Sequence, residues 1–180
     1  MPDKAPSERQ PGPAGPGDAE QAAALRLLGD AATYGGKVEV ERIDTHGAIV
    51  FLAGARAYKV KRAVAYPYMD FSTLEKRRSA CLREREINHR NAPELYLDVV
   101  PVTQSGGQLH LGGAGEAVEW VLVMQRFDQD CLLSVLAEAG KLTPAIMTAL
   151  ADAIARFHTT AEARSLRNIK INLQAARALY

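Results

Sequence analysis

At 180 residues, 47% hydrophobic and 24% charged, the chain has the length and proportions of one globular domain with a real core to bury. Its 22 basic and 21 acidic residues leave a formal charge of +1, which excludes a global field for nucleic acid or an anionic membrane and makes any cationic function local. Cys81 and Cys131 belong to no CxxC or Cys/His cluster, so neither a disulfide framework nor a zinc site is indicated; both read as reduced core or boundary residues.

Residues 1–17 hold five prolines and three glycines with almost nothing to bury, the composition of a disordered tail. There is no apolar leader and no run long enough to span a bilayer, so the expectation is a cytoplasmic protein without a membrane partner. From Asp18 the pattern changes. Asp18 with Gln21 reads as a helix start, and Ala22, Leu25, Leu28 and Ala32 follow at helical spacing until Gly35 and Gly36. Residues 38–44, 49–52 and 56–61 then alternate or run apolar around Gly47 and Gly54, which predicts a three-stranded antiparallel meander.

Ser72 to Glu75 reads as a capping box opening a helix to about Asn91. At 100° per residue, Arg77, Ala80, Cys81, Glu84, Ile87, Asn88 and Asn91 share one face, which makes Glu84 the acid on the least polar side and leaves Glu86 solvated. The basic residues Lys76, Arg77, Arg78, Arg83, Arg85 and Arg90 read as the solvated face of the same helix. A hairpin over 95–103 and 108–111 around Gly106 and Gly107, and a buried strand over 118–124, extend the sheet. Trp120 and Met124 on that strand read as core. Residues 125–129 form a connector, Asp130 caps a helix through Ala139, and Thr143 with Pro144 opens another to about Thr160 that buries Ile146, Leu150, Ala153, Ile154 and Phe157. A last amphipathic segment covers 169–180. His46 and His158 read as structural.

The chemistry concentrates on the third strand. Ala57, Lys59 and Lys61 point one way, and a small residue beside a strand lysine is what a nucleotide pocket of the protein-kinase type uses: room for a flat base, and an ammonium for phosphate oxygens. A lone strand lysine is by default solvated, but a helix with an inward acid follows, so Lys59 and Glu84 form the expected pair, with Lys61 as the alternative lysine.

The strings VERIDTHGAIVFLAGARAYKVKRAV, FSTLEKRRSACLREREINHRNAPELYLDVVPV and VEWVLVMQRFDQDCLL resemble the N-terminal, aminoglycoside-phosphotransferase-like domain of bacterial proteins that often also carry a P-loop ATP-binding domain. The resemblance runs from about Val38 to about His158. It implies an α+β fold: a protein-kinase-like N-lobe over 18–124, an antiparallel sheet plus a helix, then a hinge and the first helices of an incomplete C-lobe over 125–180. It further implies that Lys59 orients phosphate with Glu84 as its helix partner. Ala57 and Met124 would line the base pocket, and the hinge from Val123 to Phe127, with Met124, Gln125, Arg126 and Phe127, would offer backbone groups to adenine. The implied cofactor is ATP, and the implied acceptor is a small molecule. Residues 1–180 contain no HGDLHxxN, DFG-like or GxxxxGKS/T string. No catalytic residue or metal ligand is therefore assigned, and nucleotide binding is expected to be weak. Magnesium would enter only with a further segment, and turnover is not expected from these residues alone. A separate C-lobe or P-loop partner, or self-association through the amphipathic helices, is the expected interaction. The other expectations are a pseudokinase-like module that binds nucleotide or a partner without catalysis, and a non-binding remnant with an unfinished cleft and exposed helices.

Overall fold

Apolar residues at period two, interrupted by two-residue turns, can only fold back on themselves, and residues 40–61 do so. A computed structural model of the chain describes residues 18–161, which fall into two compact units divided between Arg126 and Phe127. In the first unit β1 (Val40–Asp44), β2 (Ala48–Ala53) and β3 (Arg56–Lys61) form the antiparallel meander, with Val50 opposite Lys59 and Leu52 opposite Ala57. Further along, β6 (Tyr96–Ser105) and β7 (Gln108–Leu111) make a hairpin, and β8 (Glu116–Gln125) inserts between β3 and β6. The result is a six-stranded antiparallel sheet in the order β1, β2, β3, β8, β6, β7 within a mixed α/β architecture. Three glycines make the hairpin and the crossover possible. Gly106 and Gly107 both hold positive φ, 58° and 78°, as a tight two-residue hairpin of the primed kind requires. At Gly115, where the chain returns over β6, a Cβ would lie 2.5 Å from the Gln104 carbonyl oxygen.

One face of this sheet packs on α1 (Asp18–Gly29). Ala24 and Leu28 of the helix meet Ile49, Phe51, Val60, Val102 and Val121 in the buried cluster. A large apolar side chain buried as fully as Leu28 or Phe51 contributes roughly 1.5–3 kcal/mol. The helix does not continue to Gly35. Asp30 adopts extended backbone and its carboxylate accepts from the Ala32 N–H, which starts a separate 3-10 turn, Ala31–Tyr34. Gln21, expected to close a cap, is instead 1% exposed and looks inward.

The other side of the sheet carries α2 (Leu74–His89), against β8 and β6. Its cap is Thr73, whose hydroxyl accepts from the Lys76 N–H, and not Ser72. Ser72 is held by Asp70, which accepts from its N–H at 3.0 Å and its hydroxyl at 2.6 Å. Asp70 closes a short hairpin, β4 (Ala65–Tyr66) and β5 (Met69–Asp70), that the sequence pattern did not announce. Arg77 and Cys81 are buried as the helical stripe required, but Ile87 and Asn91 are exposed, and the last turn of α2 meets β6 through His89, whose Nδ1 bonds the Tyr96 carbonyl at 2.7 Å. Arg77 therefore leaves the solvated basic set. Arg85 does too, in part, since its Nε donates to the Leu97 carbonyl at 2.9 Å.

Between the two helices sits a buried carboxylate. Glu119, fully removed from solvent, accepts from Arg77 Nε at 2.9 Å, Gln21 Nε2 at 2.5 Å and its neighbour's Trp120 N–H at 2.9 Å. Gln21 Nε2 also donates to the Lys61 carbonyl at 2.7 Å, and its Oε1 accepts from the Ala63 N–H at 3.2 Å. The β3–β8 pairing stops at Val60 opposite Val121, so this amide supplies backbone partners where the two strands part.

In the second unit Asp128, not Asp130, is the cap. Its side chain accepts from the Asp130 N–H and starts the 3-10 turn Gln129–Cys131, ahead of α3 (Leu133–Glu138). Thr143 and Pro144 open α4 (Pro144–Thr160) as their types predict. The expected burial of its apolar stripe does not hold. Ile146 and Leu150 are half-buried, while Ala153, Ile154 and Phe157 are exposed, because no described residue closes over that end of the stripe. Cys131 is likewise exposed rather than core. The tail 1–17 and the segment 169–180 lie outside the described residues. No helix among the described residues is long and apolar enough to cross a membrane.

Leaving one half of a buried ion pair without its partner costs about 3–5 kcal/mol, so Glu119→Ala should lose that much in urea unfolding at neutral pH. Replacing Arg77 and Glu119 together by Met and Leu should cost much less. Equal losses for the single and double variants would contradict the pairing.

Candidate functional site

Alternation along β3 sends Tyr58 and Val60 to the α1 face and Ala57, Lys59 and Lys61 to the α2 side. On α2, Glu84 stands two turns beyond Arg77, so both lie on the face that meets the sheet. Glu84 Oε1 accepts from Lys59 Nζ at 2.8 Å, and its Oε2 accepts from Lys61 Nζ. The two lysines that the sequence left as alternatives share one carboxylate. Glu86, by contrast, is exposed and pairs with Arg90 at 3.3 Å one turn along the helix.

The three charged groups are not equally accessible. The side chain of Lys59 is 27% exposed, that of Glu84 17% and that of Lys61 10%. Lys61 also lies over the ring of Phe71, with its ammonium 5.3 Å from the centroid. One turn below Glu84, the buried Cys81 thiol is pushed up to about 11 by burial, so it is neutral in the physiological range. Burial works to raise the Glu84 carboxyl too. The hydrogen bonds from Lys59 and Lys61, with their charges, outweigh it and hold that carboxyl below its ordinary value. Two ammonium groups and one carboxylate leave a surplus positive charge at the site, which suits an anion.

The base-pocket residues have mixed positions. Ala57 is buried, opposite Leu52 and Met124. Met124 and Gln125 are half-buried near the end of β8, and Arg126 is exposed. Two of the backbone donors expected to serve adenine are committed within the sheet: the Gln125 N–H donates to the Leu95 carbonyl and the Arg126 N–H to the Ala55 carbonyl, both at 2.9 Å. The Gln125 side chain accepts from Arg56, and Arg126 lies 3.5 Å from Glu41. Phe127 opens the second unit and is exposed.

The turn between β1 and β2 is braced from outside. His46 stacks on Tyr66 with centroids 4.5 Å apart and its Nε2 bonds the Tyr68 hydroxyl. A Cβ on Gly47 would strike the Met69 side chain at 2.8 Å, so the β4–β5 hairpin sits directly against this turn. These contacts tie His46 to the β4–β5 hairpin.

Gln21 and Glu119 were missed. For Glu119 a signal existed: one acid within the apolar run of β8 needs a buried partner. For Gln21 the local pattern pointed to a cap, yet its spacing from Leu25 and Leu28 places it on the same helix face as those apolar residues. Among the described residues no group of three or more His, Cys, Asp or Glu could hold a metal ion.

An uncharacterized protein of Mycobacterium bovis and two uncharacterized proteins of Mycobacterium tuberculosis strains are each 38% identical to the chain over 119 residues. The match covers 66% of this chain and 22% of each relative, so the chain aligns with about a fifth of their length. No family model matches the chain. No solved structure matches it.

A carboxyl depressed in the folded state adds stability above its unfolded value, about 4.3 for Glu. That stability is lost as pH falls through the lower folded value. Glu84→Gln should therefore lose less stability than wild type between neutral pH and pH about 3 in urea unfolding. Identical acid profiles would contradict the double grip on Glu84.

Proposed function

We propose that residues 18–126 form the nucleotide-binding, protein-kinase-like N-lobe of an ATP-dependent small-molecule kinase of the aminoglycoside-phosphotransferase type. The observation that carries this reading is the Lys59–Glu84 pair, a strand lysine held at 2.8 Å by an acid on the helix packed beside the sheet. In such a lobe the glutamate orients the lysine toward the phosphates, and a half-enclosed setting makes that charge worth more than it would be in water. The antiparallel sheet and the order of its strands, with β3 beside β8, are consistent with the same reading. Phe127 and the helices after it would begin the C-lobe. The acceptor would be an alcohol of a small molecule, and the setting the cytoplasm, where ATP is available.

Phosphoryl transfer also requires a base for the acceptor hydroxyl and acidic groups for magnesium. Residues 1–180 hold no HGDLHxxN string. For these residues by themselves that favours binding without turnover, the second reading, in which the lobe is a nucleotide- or partner-binding module. Adenine recognition would rest on contacts other than the Gln125 and Arg126 N–H groups, which are already paired.

Calorimetric titration with ATP tests the proposal. The wild-type chain should bind ATP weakly, and Lys59→Met should weaken binding by about tenfold or more, the loss of one charge-assisted hydrogen bond. Affinity with magnesium should stay close to that without it. Absence of ATP binding, or an undiminished affinity in Lys59→Met, would contradict the proposal, and strong magnesium dependence would show that these residues do supply metal ligands.

A further inference from the structure

We propose that Gln21, Arg77 and Glu119 are positioning residues that hold α2 in the pose where Glu84 meets Lys59, so that the phosphate-binding pair is assembled before any ligand or partner arrives; this rests on the nucleotide-binding reading above. An acid on a helix can orient a strand lysine only while the helix keeps its rotation and its place along the sheet. Glu84 lies two turns beyond Arg77 on one face of α2, about 10 Å along the axis. A rotation or slide of α2 that carried Glu84 off β3 would therefore pull Arg77 from its partners.

Those partners are costly to leave. Arg77 Nε donates to both carboxylate oxygens of Glu119 at 2.9 Å, and its Nη1 donates to the Phe71 carbonyl at 3.2 Å. Gln21, Arg77 and Glu119 are all buried, and among the described residues no buried side-chain nitrogen or oxygen lacks a hydrogen-bond partner. Withdrawing Arg77 would strand two opposite charges out of water, a far larger penalty than sliding one apolar surface over another. Gln21 carries the constraint to the lysine strand. Val60 opposite Val121 is the last pair of β3 with β8, so Glu119 stands where the strands part, and the Gln21 amide joins it there to the Lys61 carbonyl. One network thus fixes both the helix that bears Glu84 and the strand that bears Lys59. The far end of α2 is tied to β6, through Arg85 Nε on the Leu97 carbonyl and His89 Nδ1 on that of Tyr96. Lys59 has three ammonium protons and uses one on Glu84, so it meets a phosphate with that bond intact.

Nuclear magnetic resonance of the whole chain tests this, with the Glu84 carboxyl carbon as the readout. In the double variant Arg77→Met with Glu119→Leu, which keeps packing in place of the ion pair, Glu84 should titrate closer to the ordinary carboxylate range than in wild type. ATP affinity should fall about fivefold or more in the same variant. Leu109→Ala, a loss of packing on β7 away from the network, should leave the Glu84 titration as in wild type. Either readout unchanged in the double variant, or Glu84 raised as far in Leu109→Ala, would overturn the proposal. A second arm needs no variant. In free wild-type protein, relaxation dispersion of the α2 amides should be flat, and a shared millisecond exchange along Leu74–His89 would reveal a second helix pose and overturn the proposal. If wild type binds neither tripolyphosphate nor ATP, the nucleotide reading fails, and the Glu84 titration and the dispersion still decide whether the network holds the helix.

Discussion

A carboxylate removed entirely from water must be answered by donors, and Glu119 collects them from both sides of the sheet: Gln21 from α1 and Arg77 from α2. The desolvation of such an ion is several kcal/mol, so the pair adds little net stability over an apolar substitute. What it adds is direction. A well-packed apolar contact would let α2 slide or rotate on β8 with modest penalty, whereas a guanidinium bonded to one carboxylate and to the Phe71 carbonyl fixes both. We regard this as the constraint that the rest of the first unit depends on, since the same helix face presents Cys81 and then Glu84 one turn after another.

From that fixed helix the site follows by geometry. Glu84 falls where two lysines of β3 converge, and strand alternation guarantees that they converge from the same face. The network returns to the strand through Gln21, which holds the Lys61 carbonyl at the point where β3 leaves β8. Helix pose, strand end and charged site are therefore parts of one polar system rather than separate features. The β4–β5 hairpin, braced on the first turn through His46, Tyr66, Tyr68 and Met69, closes the same end of the sheet. On the kinase reading, this arrangement is a lobe whose lysine and glutamate are assembled before nucleotide arrives.

Much of this could be read from local pattern. The β1–β2–β3 meander, the glycine turn of the second hairpin and the Thr143–Pro144 helix start follow from period, turn chemistry and capping, which act over a few residues. Glu84 was separable from Glu86 because a helical face is also a local property. The failures share one cause, competition from contacts made at long sequence separation. Gln21 has the spacing of a cap residue, yet partners 40 and 98 residues away outbid the helix start. Ser72 fits a capping box, but Asp70 holds it and Thr73 takes the position. The two-lysine grip was invisible for the same reason: spacing shows that Lys59 and Lys61 share a face, and only the placement of α2 shows that one acid reaches both. Exposure of Ile154 and Phe157 on α4 belongs to another kind, since an amphipathic stripe states what a helix can bury and not whether a surface is there to receive it.

The central claim is that Glu84, held in place by this polar system, presents Lys59 to phosphate. A crystal structure of the chain with a non-hydrolysable ATP analogue tests it most directly. The account predicts phosphate oxygens within hydrogen-bond reach of Lys59 Nζ, with Glu84 still bonded to Lys59 and Arg77 still on Glu119. An analogue bound elsewhere, or phosphates out of reach of Lys59 Nζ, would contradict it.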